Sequence, residues 1–428
     1  FMMDRNNSAS IEMKMEAGSE KLFHKDFTLV VLGQIISLFG NAILRFALPL
    51  YILELSGSAA LFGAVSAMSF LPMIILSPIG GMIADRMNKQ RMMVVLDFLT
   101  AGLILFFMLT MGHVSIIPLV MVVMMILYGI HGAYSPAVQS SLPLLAAEKK
   151  LMSANAVVNT VHSLAGLFGP VLGGLLYGQY GLFPILAISC GCFAFSAVME
   201  LFIRIPHQKR PSGGSVLSIV KADMTQSFHY ILKDKPILAK VILLIFLFNI
   251  FLSSMLSIGL PVMITQILKQ SSQMYGISQG VMAAGGLLGG LLAGVAGKRL
   301  KIRHSHILLL ACGLGILPMG IALWIGVPPF VSYLLITVLT SLLMAAATLF
   351  SIQMLAFVQA ETPTEIVGKV LACLMALSTC AQPIGQAVYG VLVEYLADTV
   401  WIILLGTAVV TCVIAVFSKK SFAKLSAE

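Results

Sequence analysis

Long apolar runs, separated by short polar or Gly/Pro breaks, dominate the pattern of hydrophobic and polar positions along this chain. A bilayer core about 30 Å thick is crossed by about 20 apolar residues in a helix, so each run of this length predicts one membrane-spanning helix. The pattern predicts twelve spans, at residues 27–53, 58–84, 92–112, 115–141, 152–178, 182–204, 239–267, 275–297, 305–326, 329–358, 367–393 and 399–417. An all-α, polytopic membrane protein is therefore the expected fold class.

The distribution of basic residues predicts how these spans are oriented. Hydrophobic residues make up 59% of the chain and charged residues 10%, against about 45–50% and about 25% in soluble domains. Of the 26 Lys and Arg residues, 24 fall in the termini and even-numbered loops, which share one side of the membrane. Loops rich in Lys and Arg stay inside, so we expect a multi-pass protein of the bacterial cytoplasmic membrane with both termini cytoplasmic. Anionic lipid then explains the net charge of +9, and no nucleic-acid partner is expected.

Breaks in the apolar pattern divide the chain into two halves and three polar segments. The expected order is a cytosolic N-terminal tail (1–26), an N-terminal six-helix half (27–205), a cytoplasmic linker (206–236), a C-terminal six-helix half (237–418) and a cytosolic C-terminal tail (419–428). The linker has an apolar stripe at helical spacing flanked by lysines, which predicts an amphipathic helix on the membrane surface. We therefore expect the linker as well as the spans to contact membrane lipids.

The two halves resemble each other in sequence. A shift of 209 residues aligns the stretch 80–85 with 289–294, which sets Gly294 opposite Asp85. Internal repeats are typical of secondary transporters, whose substrate site lies between the repeats near the middle of the membrane. The repeat therefore predicts a transporter with a site between its halves.

The loop between spans 2 and 3 resembles the signature loop of the major facilitator superfamily. The pattern consists of Gly81, Asp85, Arg86, Lys89 and Arg91. Asn88 stands where the family usually has a second glycine. Four further segments, at residues 47–51, 153–156, 275–289 and 367–370, resemble the branch of drug:proton antiporters that holds macrolide-efflux proteins and the enterobactin exporter.

This resemblance implies a major facilitator fold of two pseudo-symmetric halves and a function in efflux. It implies a secondary active transporter that exports an amphiphilic, drug-like or macrolide-like molecule by alternating access, with protons as the coupling ion in antiport, as in multidrug resistance. We also expect a monomer. Two alternatives stay open, namely an exporter of an endogenous product such as a siderophore or lipid, and a transporter-like sensor that moves nothing.

In this family the signature loop latches the outward-open state, which implies a role for Asp85. A helix N-terminus carries about half a positive charge, so we expect Asp85 to dock at the start of span 11, near residues 364–366. Asp97 belongs to the same network if it pairs with Arg91 or Arg86, or else it is protonated during transport. The gating motif thus extends from the loop into span 3.

Span 4 departs from the pattern of the drug:proton antiporters. Those proteins carry an arginine four residues before a glycine, and here Tyr128 precedes Gly132 at that spacing. Proton coupling through that arginine is therefore not expected, and Tyr128 becomes a candidate cavity residue.

Span 5 carries a stretch that resembles the antiporter motif of exporters. Small residues recur in it at four-residue spacing, which lets helix backbones approach closely. The predicted packing motif consists of Ala165, Gly169, Pro170, Gly173 and Gly174. A plain packing seam and a specific role in export are both compatible with it.

Arg45 is an ionisable residue deep within a predicted span. Placing arginine at such a depth costs about 2.5–3.5 kcal/mol on insertion scales, so a functional role is the first hypothesis. Arg45 shares a helical face with Gln34, Ser37 and Asn41, and we expect this polar stripe to line the transport cavity. Arg45 either contacts the substrate or coupling ion, or it extends to the outer membrane interface or pairs with an acid as an extracellular gate. The acids available for such a gate are Glu54, Glu394 and Asp398.

Other ionisable side chains within the predicted spans are His131, His162 and Glu200. Histidine exchanges protons near neutral pH, so either histidine is a candidate for the coupling proton; the alternative is a buried imidazole with satisfied hydrogen bonds. Asn159 shares a face with His162 and is a further candidate. Glu200 is expected to form a structural i,i+4 pair with Arg204.

Uncharged polar residues provide the candidate cavity lining in the second half. Hydroxyl and amide groups occur at Asn249, Ser253, Ser257, Thr337, Ser341, Thr348, Ser351, Thr379, Gln382 and Gln386. Scattered hydrogen-bonding groups on apolar helices suit an amphiphilic organic molecule better than a sugar or an amino acid.

The chain contains neither a P-loop nor a metal-ligand cluster, so we expect neither an enzyme nor a protein that binds a cofactor or metal. An ion gradient or the gradient of the substrate must then drive transport. The six cysteines all fall within spans and are interpreted as packing residues.

Overall fold

A computed structural model describes residues 22–146, 150–205, 224–296, 305–363 and 366–423 of the chain. Within this part, twelve helices are long and apolar enough to cross a membrane, which confirms the predicted all-α fold class. They are α1 (Lys25–Ser56), α2 (Ala59–Arg86), α3 (Lys89–Thr110), α4 (Ile116–Leu145), α5 (Leu151–Tyr180), α6 (Leu182–Leu201), α7 (Pro236–Ile267), α8 (Ser272–Ala296), α9 (Ser305–Trp324), α10 (Pro329–Glu361), α11 (Val367–Tyr395) and α12 (Val400–Ala423). The predicted tails lie largely outside the described residues.

Local sequence signals end and start the helices at the polar breaks. Gly57 ends α1 with a φ of +65°, a conformation that glycine adopts without steric cost. The Ser58 hydroxyl then caps α2 by accepting from Leu61 N (3.1 Å). Asn88 Oδ1 accepts from Arg91 N (3.3 Å) at the start of α3. Side-chain caps of this kind satisfy the free amides of a first helical turn, so the chain reverses direction over two residues at each break.

The helices pack into two six-helix halves that repeat one another. In the N-terminal half, α1 packs against α5 and α6, α2 against α4, and α3 against α6. In the C-terminal half, α7 packs against α11 and α12, α8 against α10, and α9 against α12. Adding six to each helix number converts the first set of pairs into the second. The predicted pseudo-symmetry of the halves is thereby confirmed.

The halves meet mainly along two helix pairs, α5 with α8 and α2 with α11. A Cβ atom added to Gly276 would lie 2.9 Å from the Cα atom of Gly174, and one added to Gly63 would lie 2.8 Å from the Cα atom of Gly390. These separations leave no room for a side chain, so glycine allows the backbones of the two halves to touch.

These glycine pairs lie toward one end of the bundle, which we call the opposite face: the end at which α1 finishes and α2 begins. The other end, where α1 begins, is the termini face. On the opposite face, Glu54 accepts hydrogen bonds from Tyr177 Oη (2.8 Å) and Ser272 Oγ (2.6 Å), and Glu394 Oε2 accepts from Ala60 N (3.2 Å). Each carboxylate thus contacts the first turn of a helix in the other half. Together with the glycine pairs, these contacts hold the halves together on the opposite face.

The linker prediction is tested only over its second part, because residues 206–223 lie outside the described residues. Residues 224–229 are helical and continue into a π-helical turn, Tyr230–Asp234. Lys235 Nζ pairs with Glu361 Oε2 at the end of α10 across 3.1 Å. The described end of the linker therefore rests on the C-terminal half.

Candidate transport site

A cavity of about 400 Å³ lies between the halves, where the sequence repeat predicts a substrate site. Helices of both halves line it. Its polar lining consists of Asn41, Arg45, Ser66, Tyr128, His131, His162, Ser257, Tyr275, Gln279, Gln382 and Gln386. The cavity thus brings together most of the residues predicted to contact a substrate or a coupling ion.

Arg45 places a fixed positive charge in this cavity. Its guanidinium carbon lies 3.9 Å from the centre of the Tyr128 ring, a cation–π contact worth about 0.5–2 kcal/mol. Glu54 and Glu394 are engaged at the opposite face, and among the described side chains neither forms an ion pair with Arg45. Asp398 is exposed and forms no ion pair with Arg45 among the described side chains either. The prediction of an extracellular gate between Arg45 and one of these three acids is therefore wrong, because Arg45 turns inward onto an aromatic ring.

Both predicted histidines line the cavity. Asn41 Nδ2 donates to His131 Nδ1 across 3.1 Å, which joins α1 to α4. Asn159 is exposed on α5 and lies off the wall that His162 helps to form. Three residues turn a helix by about 300°, so the side chain of Asn159 points about 60° away from that of His162.

A second cavity, of about 430 Å³, adjoins the first within the C-terminal half. Ser257, Gln279 and Gln382 line both cavities. The predicted residues that line the second cavity are Asn249, Ser253, Ser257, Thr348, Ser351 and Gln382. Gln382 Nε2 donates to Ser253 Oγ (2.7 Å) and Gln386 Nε2 donates to Ser257 Oγ (3.2 Å), so hydroxyls of α7 orient the amides of α11.

Helix α7 is irregular beside these amides. It contains two π-helical segments, Asn249–Ser253 and Val262–Ile267. A π turn disturbs the regular hydrogen bonds of a helix and is frequent at functional sites. Here Ser254 Oγ donates to Asn249 O (2.9 Å). The wall of the second cavity thus includes a helix whose backbone is locally underwound, with more residues per turn than an α-helix.

Several hydroxyls predicted for the second-half cavity serve packing instead. Thr337 Oγ1 donates to Ser278 Oγ (3.2 Å) and joins α10 to α8. Thr379 Oγ1 donates to Met375 O of its own helix (2.8 Å). Because Ser and Thr can bond to the carbonyl one turn earlier, a hydroxyl in a span does not by itself mark a cavity.

The polar stripe of α1 is divided between two environments. Asn41 and Arg45 line the central cavity, whereas Gln34 and Ser37, nearer the termini face, are only 1% and 3% exposed. Gln34 Nε2 donates to Tyr134 Oη (2.7 Å). The prediction that the whole stripe lines the cavity is wrong for Gln34 and Ser37, because α4 and α6 cover that part of α1.

Asp97 and Glu200 lie in the same buried region, away from Arg91 and Arg204; the predicted alternative partner of Asp97, Arg86, has a side chain outside the described part of the chain. Asp97 and Glu200 are 2% and 0% exposed, and Tyr134 Oη donates to Glu200 Oε1 (2.7 Å). Arg91 and Arg204 are exposed, and no ion pair among the described side chains joins them to these carboxyls. The predicted pairs Asp97–Arg91 and Glu200–Arg204 are therefore wrong, since the carboxyls turn into the half while the arginines remain outside.

The signature loop is described in part. Asn88 caps α3, and Gln90 Nε2 donates to Glu200 O (3.1 Å), which ties the loop to the end of α6. The side chains of Asp85 and Arg86 and residues 364–365 lie outside the described part of the chain. Docking of Asp85 at the start of α11 therefore stays a prediction.

The small residues of α5 serve two interfaces. Gly169 and Gly173 face α1, while Pro170 and Gly174 approach Gly276 of α8. The stretch is therefore a packing seam within the N-terminal half and also part of the contact between the halves.

Two repeated six-helix halves that enclose a polar cavity define the class of secondary membrane transporters. The Major Facilitator Superfamily model matches residues 30–372, and the chain belongs to this family. Its members are transporters and not enzymes. The family and the twelve apolar helices make the chain a multi-pass membrane protein.

Several relatives of the chain are named as efflux proteins. Macrolide efflux protein A of Streptococcus pyogenes is 24% identical over 389 residues, which cover 90% of this chain and 93% of the relative. Multidrug efflux pump Tap of Mycolicibacterium fortuitum is 22% identical over 392 residues, 87% of this chain and 91% of the relative.

Solved structures of transporters share the fold. The nucleoside transporter NupG superposes with a TM-score of 0.70 at 15% identity and covers 94% of this chain and 99% of its own. A D-xylose-proton symporter superposes with a TM-score of 0.68 at 15% identity, covering 93% of this chain and 97% of its own. At this identity the likeness establishes the fold alone.

Proposed function

We propose that this protein exports an amphiphilic small organic molecule, of the drug or macrolide kind, by alternating access in antiport with protons. The observation that carries the proposal is the central cavity, which combines the cation of Arg45, aromatic surface from Tyr128 and Tyr275, and dispersed amides. Ligand sites of this kind are mostly apolar with a few polar groups that fix orientation.

The size of the cavities supports a large substrate. The volumes of about 400 and 430 Å³ adjoin through Ser257, Gln279 and Gln382, and each lies within the range of about 300–1,000 Å³ that is usual for ligand pockets. A molecule larger than either cavity would span both and contact both halves. The names of the efflux relatives favour the same substrate class.

The contacts at the opposite face support the proposal of alternating access. Release there requires the bonds of Glu54 to Ser272 and of Glu394 to Ala60 to break, after which the glycine pairs separate. Asp85 would then dock at the start of α11 and close the termini face. With 24 of the 26 Lys and Arg residues on that side, we place both termini in the cytoplasm, so opening of the opposite face is export.

An endogenous substrate is the second candidate. Arg45 is half-buried in the cavity beside an aromatic ring, and a guanidinium binds carboxylates and phosphates in bidentate fashion. An amphiphile with an anionic group, such as a siderophore or a lipid, would fit this feature. The protein acts as a monomer in either case.

Everted membrane vesicles test the proposal. Vesicles containing the protein should accumulate labelled erythromycin or a lipophilic dye when respiration acidifies their interior, and a protonophore should abolish accumulation. Vesicles without the protein are the control. Saturable binding with no accumulation would contradict export and favour a sensor, whereas accumulation of only anionic amphiphiles would favour the second candidate.

A further inference from the structure

Four side chains of the N-terminal half form a polar cluster away from the central cavity, which we call the carboxyl cluster: Gln34, Asp97, Tyr134 and Glu200. They come from α1, α3, α4 and α6, and none is more than 6% exposed. Burial of carboxyl groups at this depth costs several kcal/mol per charge unless a partner compensates it. Asp97 and Glu200 therefore need partners that offset the cost of their burial.

Hydrogen bonds within the cluster leave specific atoms unpartnered. Gln34 Nε2 donates to Tyr134 Oη, and Tyr134 Oη donates to Glu200 Oε1, both across 2.7 Å. Tyr134 has then given its single proton. Asp97 Oδ2 and Glu200 Oε2 are buried with no hydrogen-bond partner, and so is the hydroxyl of Ser37 beside them.

No cation among the described side chains balances these carboxyls. The titratable groups next to them are Tyr134 and His131 of α4, while Arg45 of α1 and His162 of α5 interact with His131. The arginines nearest in sequence, Arg91 and Arg204, are exposed. None of the basic groups forms an ion pair with Asp97 or Glu200. Two buried carboxylates near each other cannot both stay ionised at low cost. The unpartnered oxygens are thus placed to receive a cation from outside.

A small cavity of about 20 Å³ supplies the space. Ser37, Asp97 and Tyr134 line it, and so do Asn41 and His131. A volume of about 10–15 Å³ is enough for one water molecule, so the cavity has room for one water, or for a proton carried on it. Asn41 and His131 also line the central cavity and are hydrogen-bonded to each other. A polar connection therefore leads from the central cavity to Asp97.

We propose that Asp97 and Glu200 form the site that takes up and releases the coupling proton, reached from the central cavity past Asn41 and His131. The inference rests on the proposed proton-coupled export. On uptake, an O–H bond forms at a carboxylate oxygen and the hydronium ion that donates the proton becomes water; on release, the carboxyl returns the proton to water. The substrate binds elsewhere, against Arg45 and the amides of α11.

Coupling of export to the proton then requires only that the substrate and the proton each lower the affinity of the protein for the other. If a bound substrate lowers the affinity for the proton, the proton lowers the affinity for the substrate by the same factor. Asn41 and His131 stand between the two sites and transmit that effect. Exchange of one substrate molecule for another needs no uptake or release of a proton at the carboxyl cluster, whereas uphill export needs both.

Proteoliposomes with purified protein separate these two activities. Labelled erythromycin is measured in exchange at equal pH on both sides and at saturating concentration, and in accumulation driven by an imposed pH gradient. We expect Asp97→Asn and Glu200→Gln to keep exchange within about two-fold of wild type and to lose about ten-fold or more of the accumulation. Tyr134→Phe, which removes only one hydroxyl, should lose accumulation by about two- to five-fold.

Asp398→Asn is the matched control, because Asp398 is an exposed carboxyl in the turn before α12; it should behave as wild type in both assays. Accumulation by Asp97→Asn and Glu200→Gln at the wild-type level would overturn the inference and leave the proposed function intact. Loss of exchange as severe as the loss of accumulation would also overturn it, since the carboxyls would then serve folding or substrate movement. A wild-type protein that neither exchanges nor accumulates substrate would defeat the proposed function and the inference with it.

Two further measurements sharpen the assignment. Accumulation driven by a sodium gradient and not by a pH gradient would overturn the inference, because the coupling ion would then be Na⁺ and not the proton. In the absence of substrate, infrared difference spectra between acidic and alkaline pH should contain a carboxylic-acid C=O band that Asp97→Asn or Glu200→Gln removes. Retention of every such band in both variants would contradict proton uptake at this site.

Discussion

The two halves share one arrangement of helices and differ in the kind of polar group that they bury. The N-terminal half encloses ionisable groups: Arg45 is half-buried at the central cavity, and Asp97 and Glu200 are fully buried in the carboxyl cluster. The C-terminal half presents amides and hydroxyls, among them Gln382 and Gln386. The repeat has therefore preserved the packing while the chemistry of its two copies has diverged.

This difference divides the work of transport between the halves. An ionisable group can bind and release a proton, whereas an amide cannot. Amides and hydroxyls tolerate partial loss of their partners at lower cost than charges do, so a wall built from them accepts substrates of varied shape. Coupling belongs to the first half in this account, and adaptable substrate contact belongs to the second.

The largest effect is expected at a feature that both halves share, the glycine contacts. In Gly276→Leu a side chain must fit where a Cβ atom alone would lie 2.9 Å from the Cα atom of Gly174. The opposite face can then no longer close, and we expect transport in vesicles to fall by about 20-fold or more. Gly290→Leu is the control on the same helix, because no atom lies within 4 Å of a Cβ added there. Equal transport by the two variants would show that closure does not depend on this contact.

A smaller effect is expected from the charge of the first half. Arg45→Ala removes the cation and its contact with Tyr128, and we expect the rate of export at low substrate concentration to fall about ten-fold, equivalent to about 1.4 kcal/mol. Arg45→Lys keeps the charge and loses the planar contact, so it should recover part of the rate. Initial rates in vesicles provide the measurement. Full activity of Arg45→Ala would show that the positive charge of Arg45 does not contribute to export.

A still smaller effect is expected in the second half. Gln382→Ala removes one of several amides, and we expect KM for erythromycin to rise about three- to five-fold with little change in the maximal rate. Thr379→Ala is the control, because this hydroxyl bonds to its own helix. If Gln382→Ala lowered the maximal rate as much as Arg45→Ala does, this result would contradict the functional difference that we infer between the two halves.

The smallest effect is expected where the halves are alike again, at the carboxylates of the opposite face. Glu394→Gln keeps a carbonyl oxygen to accept from Ala60 N and removes only the charge near a helix N-terminus, worth about 0.3–1 kcal/mol. Transport should change by about two-fold. Labelling of a single cysteine placed at the opposite face should increase to a similar extent, and unchanged labelling would show that the charge does not help closure.

Much of the fold follows from the sequence because each span carries its own signal. A run of about 20 apolar residues is sufficient to predict a membrane helix, and Ser58 and Asn88 mark helix starts through local caps. The small residues of α5 are likewise recognised from their four-residue spacing in the sequence. None of these features depends on what packs against the helix.

The carboxyl cluster could not be predicted, because it depends on contacts between distant segments. Gln34, Asp97, Tyr134 and Glu200 lie on four helices, and helical periodicity states which face a residue occupies but not which helix covers that face. The nearest arginines in sequence therefore suggested the wrong partners for Asp97 and Glu200. The usable signal was that all four residues are polar within apolar spans, at similar distances from the termini face.

The division of work between the halves is tested most directly by counting the protons released when purified protein binds erythromycin. Calorimetry in two buffers of different ionisation enthalpy gives this number. We expect about one proton per substrate for the wild type and for Gln382→Ala, which binds more weakly, and close to none for Asp97→Asn. Proton release by Asp97→Asn equal to that of the wild type, or its loss in Gln382→Ala, would contradict the account.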